Sequence, residues 1–242
     1  MSTNHLADVL RPVKHVLLDF DGPVCSVFAG LPAPEVARRL YGALLSTLTV
    51  DAPADWATET DPLALLRHVA DARPDLAATA DRTLTRLEVE AVASAERNAG
   101  GEAAIRACVE SGRSVWIISN NSGAAIRDYL DAHGLADVIA GVFGRVPGDP
   151  TSMKPSPRLL LDALAGASAA PESCILIGDA VRDVQAGHAA KVATIGYANK
   201  PGKEAKLTAA GAVVVTDSME GRRGCSRLTI RLWLSTLTVF DR

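Results

Sequence analysis

Cysteine is sparse and scattered. Cys25, Cys108, Cys174 and Cys225 stand far apart and form no CxxC pair. That argues against a zinc ribbon or a disulfide framework, and a reducing, cytoplasmic setting is the simple expectation. No run approaches the roughly 18 consecutive apolar residues that a membrane span needs. The opening MSTNHLADVLRPVKH has no apolar core, so no secretory signal is expected. A basic excess is missing too: the formal net charge is −3, which argues against nucleic acid as a main partner. His5, His15, His68, His133 and His188 show no metal-ligand spacing.

What the chain does have is apolar residue in quantity. With 242 residues, 48% of them hydrophobic, it can bury a core as one large domain or as a domain with a sizeable insert. Short β-prone runs are spread along it: HVLLDF, SVWIIS, GVFGRV, CILIG, VATIGY and AVVVT. They are apolar throughout rather than alternating, as strands covered on both faces are. Helical patterns separate them at 101–110, 122–133, 157–165, 181–190 and 202–209. Strand and helix in repeated alternation predict a doubly wound parallel α/β sheet.

One interval breaks the rhythm. From Ser26 to about Ala99 no buried strand is evident, whereas 34–45, 61–71 and 75–96 read as helices. Pro34 and Pro62 suit first-turn positions, and Asp61 suits an N-cap. The expected division is a discontinuous α/β core, 12–25 with 100–220, carrying a helical cap at 26–99. The basic, β-prone tail at 221–242 is left as an edge strand, a docking segment or a disordered end.

Four segments carry chemistry. In VLLDFDGPVC, Asp19 ends a strand and Asp21 follows one residue on, so alternation sends both carboxylates the same way. Two such acids suit a divalent-metal site, a nucleophile with an acid/base partner, or an ordinary cap and turn. In WIISNNSGAAI, Ser119 and Asn120 end a strand just before a helix, as phosphate-binding donors or as plain capping residues. In SMKPSPRLL, Lys154 precedes Pro155 and a helix expected near Pro157 with Ser156 as its N-cap; the lysine is a point charge for an anion or a solvated side chain. In ILIGDAVRDVQAG, Asp179 and Asp183 stand at i and i+4 at a helix start, a capping position as much as a ligand position. Four acids on one sheet edge repel at ~4–6 Å, and a cation relieves that repulsion. Oxygen-only ligands favour magnesium.

In this order, Asp19-Phe20-Asp21, Ser119, Lys154 and Gly178-Asp179 with Asp183 resemble the haloacid dehalogenase-like (HAD) hydrolase superfamily. The insert resembles that family's C1 cap, as in its phosphoglycolate phosphatase and β-phosphoglucomutase branch. The resemblance implies a Rossmann-like core and a Mg²⁺-dependent phosphatase acting on a small phosphorylated metabolite. It implies Asp19 as the nucleophile that becomes an aspartyl-phosphate, and Asp21 as general acid and then base. It implies magnesium on Asp19, the Asp21 main-chain carbonyl and Asp179, with Asp183 a further ligand or a partner orienting Lys154. Ser119 and Asn120 would hold phosphoryl oxygens, and Lys154 would balance charge on the nucleophile and substrate. Pro23 stands where the family usually has Thr; this bears on cap movement and leaves the charged roles untouched. A sugar-phosphate mutase using the same intermediate is the alternative. A non-catalytic binding protein of this fold is disfavoured, because no charged position is lost. Arg38 and Arg39 on the first cap helix are read as a solvated face, Cys25 as a packed thiol and Trp56 as cap packing or surface.

Overall fold

The computed structural model of the protein describes residues 11–48 and 52–219. The tail, with Cys225, lies outside them. Six strands form one sheet: β1 (His15–Leu18), β4 (Ser114–Ser122), β5 (Gly141–Arg145), β6 (Cys174–Gly178), β7 (Ala193–Tyr197) and β8 (Val214–Thr216). Every neighbouring pair is parallel, in the order β5-β4-β1-β6-β7-β8. The chain therefore winds outward from β1 in both directions, and the crevice at that reversal, beyond the strands' carboxyl ends, is where such sheets hold ligands.

Both faces are covered, which is why the strands read as unbroken apolar runs. Val16 and Leu18 join one apolar cluster and Leu17 joins the other. On Leu17's face, α7 (Arg158–Ala167) buries Leu159, Leu160, Ala163 and Leu164, spaced along one side of a helix. The opposite face packs on α5 (Ala99–Glu110) and α6 (Gly123–Ala132), and its cluster runs on into the helices of the insert. The helices α8 (Val181–Ala190) and α9 (Lys203–Ala209) complete the layers. Helix α7 begins at Arg158, with the Ser156 hydroxyl accepting from the Arg158 N–H at 3.4 Å, so its start falls one residue later than the sequence suggested.

Among its described residues, the interval 26–99 is mainly helical. It holds α1 (Ala33–Leu45), α2 (Ala54–Thr58), α3 (Pro62–Ala72) and α4 (Pro74–Val92). Asp61 caps α3 by accepting from the Leu63 N–H at 2.9 Å. The short α2, which the pattern had not marked, buries Trp56 completely. The last helix stops at Val92 rather than continuing to residue 96. There the chain turns back as β3 (Glu96–Arg97), which pairs antiparallel with β2 (Cys25–Ser26). Cross-strand bonding at the point of return overrides the helical tendency of the sequence.

Candidate active site

Three strand ends and one loop meet above β1. Asp19 directly follows β1, and its main-chain N–H donates to the Ile177 carbonyl of β6. The next turn closes on itself: Val24 and Cys25 N–H groups donate to the Phe20 carbonyl, and the Gly22 N–H donates to that of Cys25. Phe20 points into the core, edge-on to Tyr129. Gly22 has φ +107°, and a Cβ there would lie 2.5 Å from Asp179 Oδ2. Glycine is thus what lets the acidic turn approach β6 so closely. Asn98 ties the same turn to the end of the helical insert, donating to the Gly22 carbonyl at 3.1 Å.

Lys154 is the centre of charge. It is 1% exposed, and its ammonium lies 2.8 Å from Asp19 Oδ1, 2.7 Å from Asp183 Oδ1 and 3.0 Å from the Ile118 carbonyl. The ammonium thus donates one hydrogen bond to a main-chain carbonyl and forms ion pairs with both carboxylates. Both carboxylates hold the amine charged, raising its pKa against the opposing effect of burial. Asp19 Oδ1 also accepts from the Phe20 N–H at 2.7 Å, while no hydrogen bond falls on Oδ2 among the described residues. The two oxygens of Asp19 therefore differ, one being anchored and the other not.

The remaining acids divide by role. Asp183 is fully buried; its second oxygen accepts from the Ala180 N–H at 2.9 Å, while Oδ1 pairs with the Lys154 ammonium and has no hydrogen-bond partner among the described residues. Asp179 takes Lys203 at 2.5 Å and Asn199 at 3.0 Å, both on Oδ2. Asp21 accepts from the Val27 N–H at 3.0 Å.

Asp19, Asp179 and Asp183 offer carboxylate oxygens that all lie within 4.8 Å of one another. Burial first, then the charge of Asp183, pushes Asp19 up to about 7, with Lys154 opposing. Burial also raises Asp21, partly offset by its bond from Val27. Three carboxylates thus face one buried ammonium, helped from the solvent side by Lys203. An added cation would relieve their mutual repulsion, and the all-oxygen donor set suits a hard divalent ion. The residues present fit such an ion. The Asp21 carboxylate is not one of the three clustered groups.

Ser119 and Asn120 end β4 beside this cluster. The Ser119 hydroxyl lies 3.1 Å from Asn121 Oδ1 and accepts from the Asn121 N–H at 3.2 Å. Asn120 uses its whole side-chain amide on the Lys154 main chain, accepting from its N–H at 2.7 Å and donating to its carbonyl at 3.1 Å. Asn120 therefore fixes the lysine's backbone. Arg38 and Arg39 are bound to Glu35 and, for Arg39, to Glu90, as a solvated face would be.

Sequence reasoning missed two arginines. Arg67 of α3 donates to the Lys154 carbonyl at 3.2 Å, bringing a cap cation to the site. Arg145, at the end of β5, is 3% exposed and binds Asp81 and Glu88 of α4. A signal existed for the second: Asp81 and Glu88 interrupt the stripe Ala77, Ala80, Leu84, Leu87 and Ala91, which is otherwise apolar and buried. Charged residues inside a buried stripe require a partner of opposite sign.

The sequence model of the haloacid dehalogenase-like hydrolase family matches residues 13–191. The chain belongs to that family. As a HAD-like hydrolase it carries the family's fold almost end to end. Among solved structures, CbbY from Rhodobacter sphaeroides, determined with phosphate, superposes with a TM-score of 0.61 at 18% identity, covering 86% of this chain and 95% of that one. An enzyme described as a putative phosphoglycolate phosphatase, from Lactobacillus plantarum, gives 0.62 at 16% identity, covering 86% and 96%. A HAD-like hydrolase from Bacteroides fragilis gives 0.63 at 19%, covering 85% and 97%. No curated protein matches the chain. No helix among the described residues is long and apolar enough to cross a membrane.

Proposed function

We propose that this HAD-like hydrolase is a magnesium-dependent phosphatase that hydrolyses a small phosphate monoester through an aspartyl-phosphate on Asp19. The observation that carries the reading is the Lys154 ammonium, buried between Asp19 and Asp183 beside the clustered acids. Phosphoryl transfer needs positioning and neutralised charge more than covalent help, and this arrangement supplies both.

Asp19 attacks phosphorus with Oδ2, because Oδ1 is held by Lys154 and the Phe20 N–H. The bond from phosphorus to the leaving oxygen breaks, and Asp21 delivers its proton to that oxygen. Its raised pKa suits a group that starts protonated. Water then attacks the same phosphorus, Asp21 takes the water's proton, and the bond to Asp19 breaks to release phosphate. Asp19 and Asp179, each with an oxygen free of hydrogen bonds, would hold magnesium with the Asp21 carbonyl. The ion supplies charge to oppose the phosphoryl oxygens when bound. Asp183, ion-paired with the ammonium, orients Lys154. Ser119 and the main chain around Asn120 receive the phosphoryl oxygens.

A small phosphorylated substrate is supported by likeness to structures solved with phosphate and, for a mutant of CbbY, with xylulose 1,5-bisphosphate. Purified protein should release phosphate from p-nitrophenyl phosphate with MgCl₂, lose that activity in EDTA, and lose it in Asp19→Asn. No magnesium-dependent turnover across a broad panel of phosphorylated metabolites would sink the reading. Isomerised sugar phosphate without net phosphate release would identify a mutase instead.

A further inference from the structure

Glu88 belongs to the cap, yet its carboxylate is seated in the end of a core strand. It is fully buried and accepts four bonds. The Asn121 side chain donates at 3.2 Å, the Ser122 N–H at 2.9 Å, and Arg145 at 2.9 and 3.1 Å. Arg145 in turn reaches Asp81 at 2.6 Å and the Asn120 carbonyl at 2.9 Å. Asn120 is the residue whose side chain grips the Lys154 main chain at both its N–H and its carbonyl. A continuous set of bonds therefore runs from cap helix α4 through Arg145 and Asn120 to Lys154, and from its ammonium to Asp19.

We propose that Arg145 is a positioning residue for Lys154, acting through Asn120 and held from the cap by Glu88. The argument is geometric. Glu88 also holds the neighbouring Asn121 and Ser122, but Arg145 makes the direct link from α4 to the Asn120 main chain, and each link is made by buried groups. A guanidinium with bidentate contacts has a fixed plane, so it sets the Asn120 peptide in one orientation. A buried network with every member satisfied specifies a single arrangement, whereas a partly broken one does not. Asp81 and Glu88 lie two turns apart on α4, so both ends of the guanidinium contact are set by one rigid helix. The lysine is thus correctly placed only while α4 is seated against β4 and β5.

The kinetic part of the test rests on the phosphatase reading; the exchange part does not. By hydrogen–deuterium exchange, wild-type peptides covering 81–88, 119–122 and 153–156 should open together. Glu88→Gln should lower protection at 153–156 while leaving the distant strand 193–197 unchanged. Independent opening of these segments in the wild-type chain, or unchanged exchange at 153–156 in Glu88→Gln, overturns the proposal. In assays with p-nitrophenyl phosphate, Arg145→Lys and Glu88→Gln should lower kcat about 10- to 100-fold with little change in KM, as small misplacements of a catalytic group do.

A variant with Asp81→Leu, Glu88→Met and Arg145→Met replaces the ion cluster with apolar groups, which often preserves stability. Wild-type melting with kcat still depressed supports positioning. Wild-type melting with wild-type kcat shows a purely structural cluster and overturns it. Should the substituted chains fail to fold, cooperative or independent opening in the wild-type protein still decides. Should wild type show no turnover, the phosphatase reading fails and the exchange result stands by itself.

Discussion

Lys154 and Asp183 meet at 2.7 Å in the interior, and the same ammonium reaches Asp19 at 2.8 Å. The two carboxylates therefore share one counter-ion. Removing it leaves two buried carboxylates facing each other and the neighbouring Asp179. Breaking a buried pair from one side costs about 3–5 kcal/mol. Lys154→Met should lower the unfolding free energy by a margin of that order, read from the fall in the urea midpoint, and abolish turnover. Magnesium should return part of the stability, because the ion offsets the same repulsion. A Lys154→Met protein with the wild-type midpoint would contradict this account of the charge balance.

Two glycines should respond to alanine in opposite directions. A Cβ on Gly101 would sit 1.9 Å from the Pro23 carbonyl oxygen, whereas one on Gly42 would meet nothing within 4 Å. Gly101→Ala gains about 1 kcal/mol in helix propensity. It must also push back the backbone of the turn that carries Asp21, and overpacking of this kind costs about 1–3 kcal/mol or more. The net effect should be loss of stability together with reduced turnover. Gly42→Ala, inside α1, should stabilise by about 0.5–1 kcal/mol and leave turnover alone. Urea denaturation of both variants checks the pair.

The buried thiols should be inert. Burial, then the charges of Asp21 and Asp19, drives Cys25 far above the usual thiol range, and burial pushes Cys108 up to about 12. Alkylation follows the thiolate. Iodoacetamide at a pH of about 8.5, where an ordinary thiol is half ionised, should therefore spare both residues in the native protein. It should label both in urea, as read by mass spectrometry of the peptides. A raised acid pKa means the native state holds its proton longer than the unfolded chain does. The associated stability is then complete below a pH of about 8.5 and declines as pH rises beyond it. Native-state labelling of Cys25 at a rate matching the unfolded chain would refute this.

Legibility in the sequence followed the physics of each element. The six strands were readable because a sheet covered on both faces needs apolar residues at every position, as in Ile175, Leu176 and Ile177. Helix α3 was readable because Asp61 and Pro62 mark its start chemically. The short α2 was not, since five residues hold too little periodicity, and Trp56 alone says nothing of direction. Strand β3 was hidden because Glu96 and Arg97 become a strand only by pairing with Ser26 and Cys25, some seventy residues earlier. At the site, Asp19 and Asp179 stood out as acids directly after apolar strands, Asp183 by its i, i+4 spacing from Asp179 and Lys154 by its place before Pro155, and the fold brings the four together. Asn120 read as a donor for an anion because sequence cannot show that its amide is already occupied by Lys154. Arg145 went unremarked because a basic residue at a strand end looks solvated until its two acids on α4 are found beneath it.

The ribbon of β2 and β3 has an implication for swapping parts between relatives. Because the helical insert leaves and rejoins the core on adjacent, hydrogen-bonded strands, its two junctions lie side by side, and a foreign insert could be spliced in without stretching either junction. A transplanted insert must nevertheless bring acids matching Asp81 and Glu88. Without them the recipient is left with a stranded guanidinium under its new roof, and the chimera inherits a misaligned lysine.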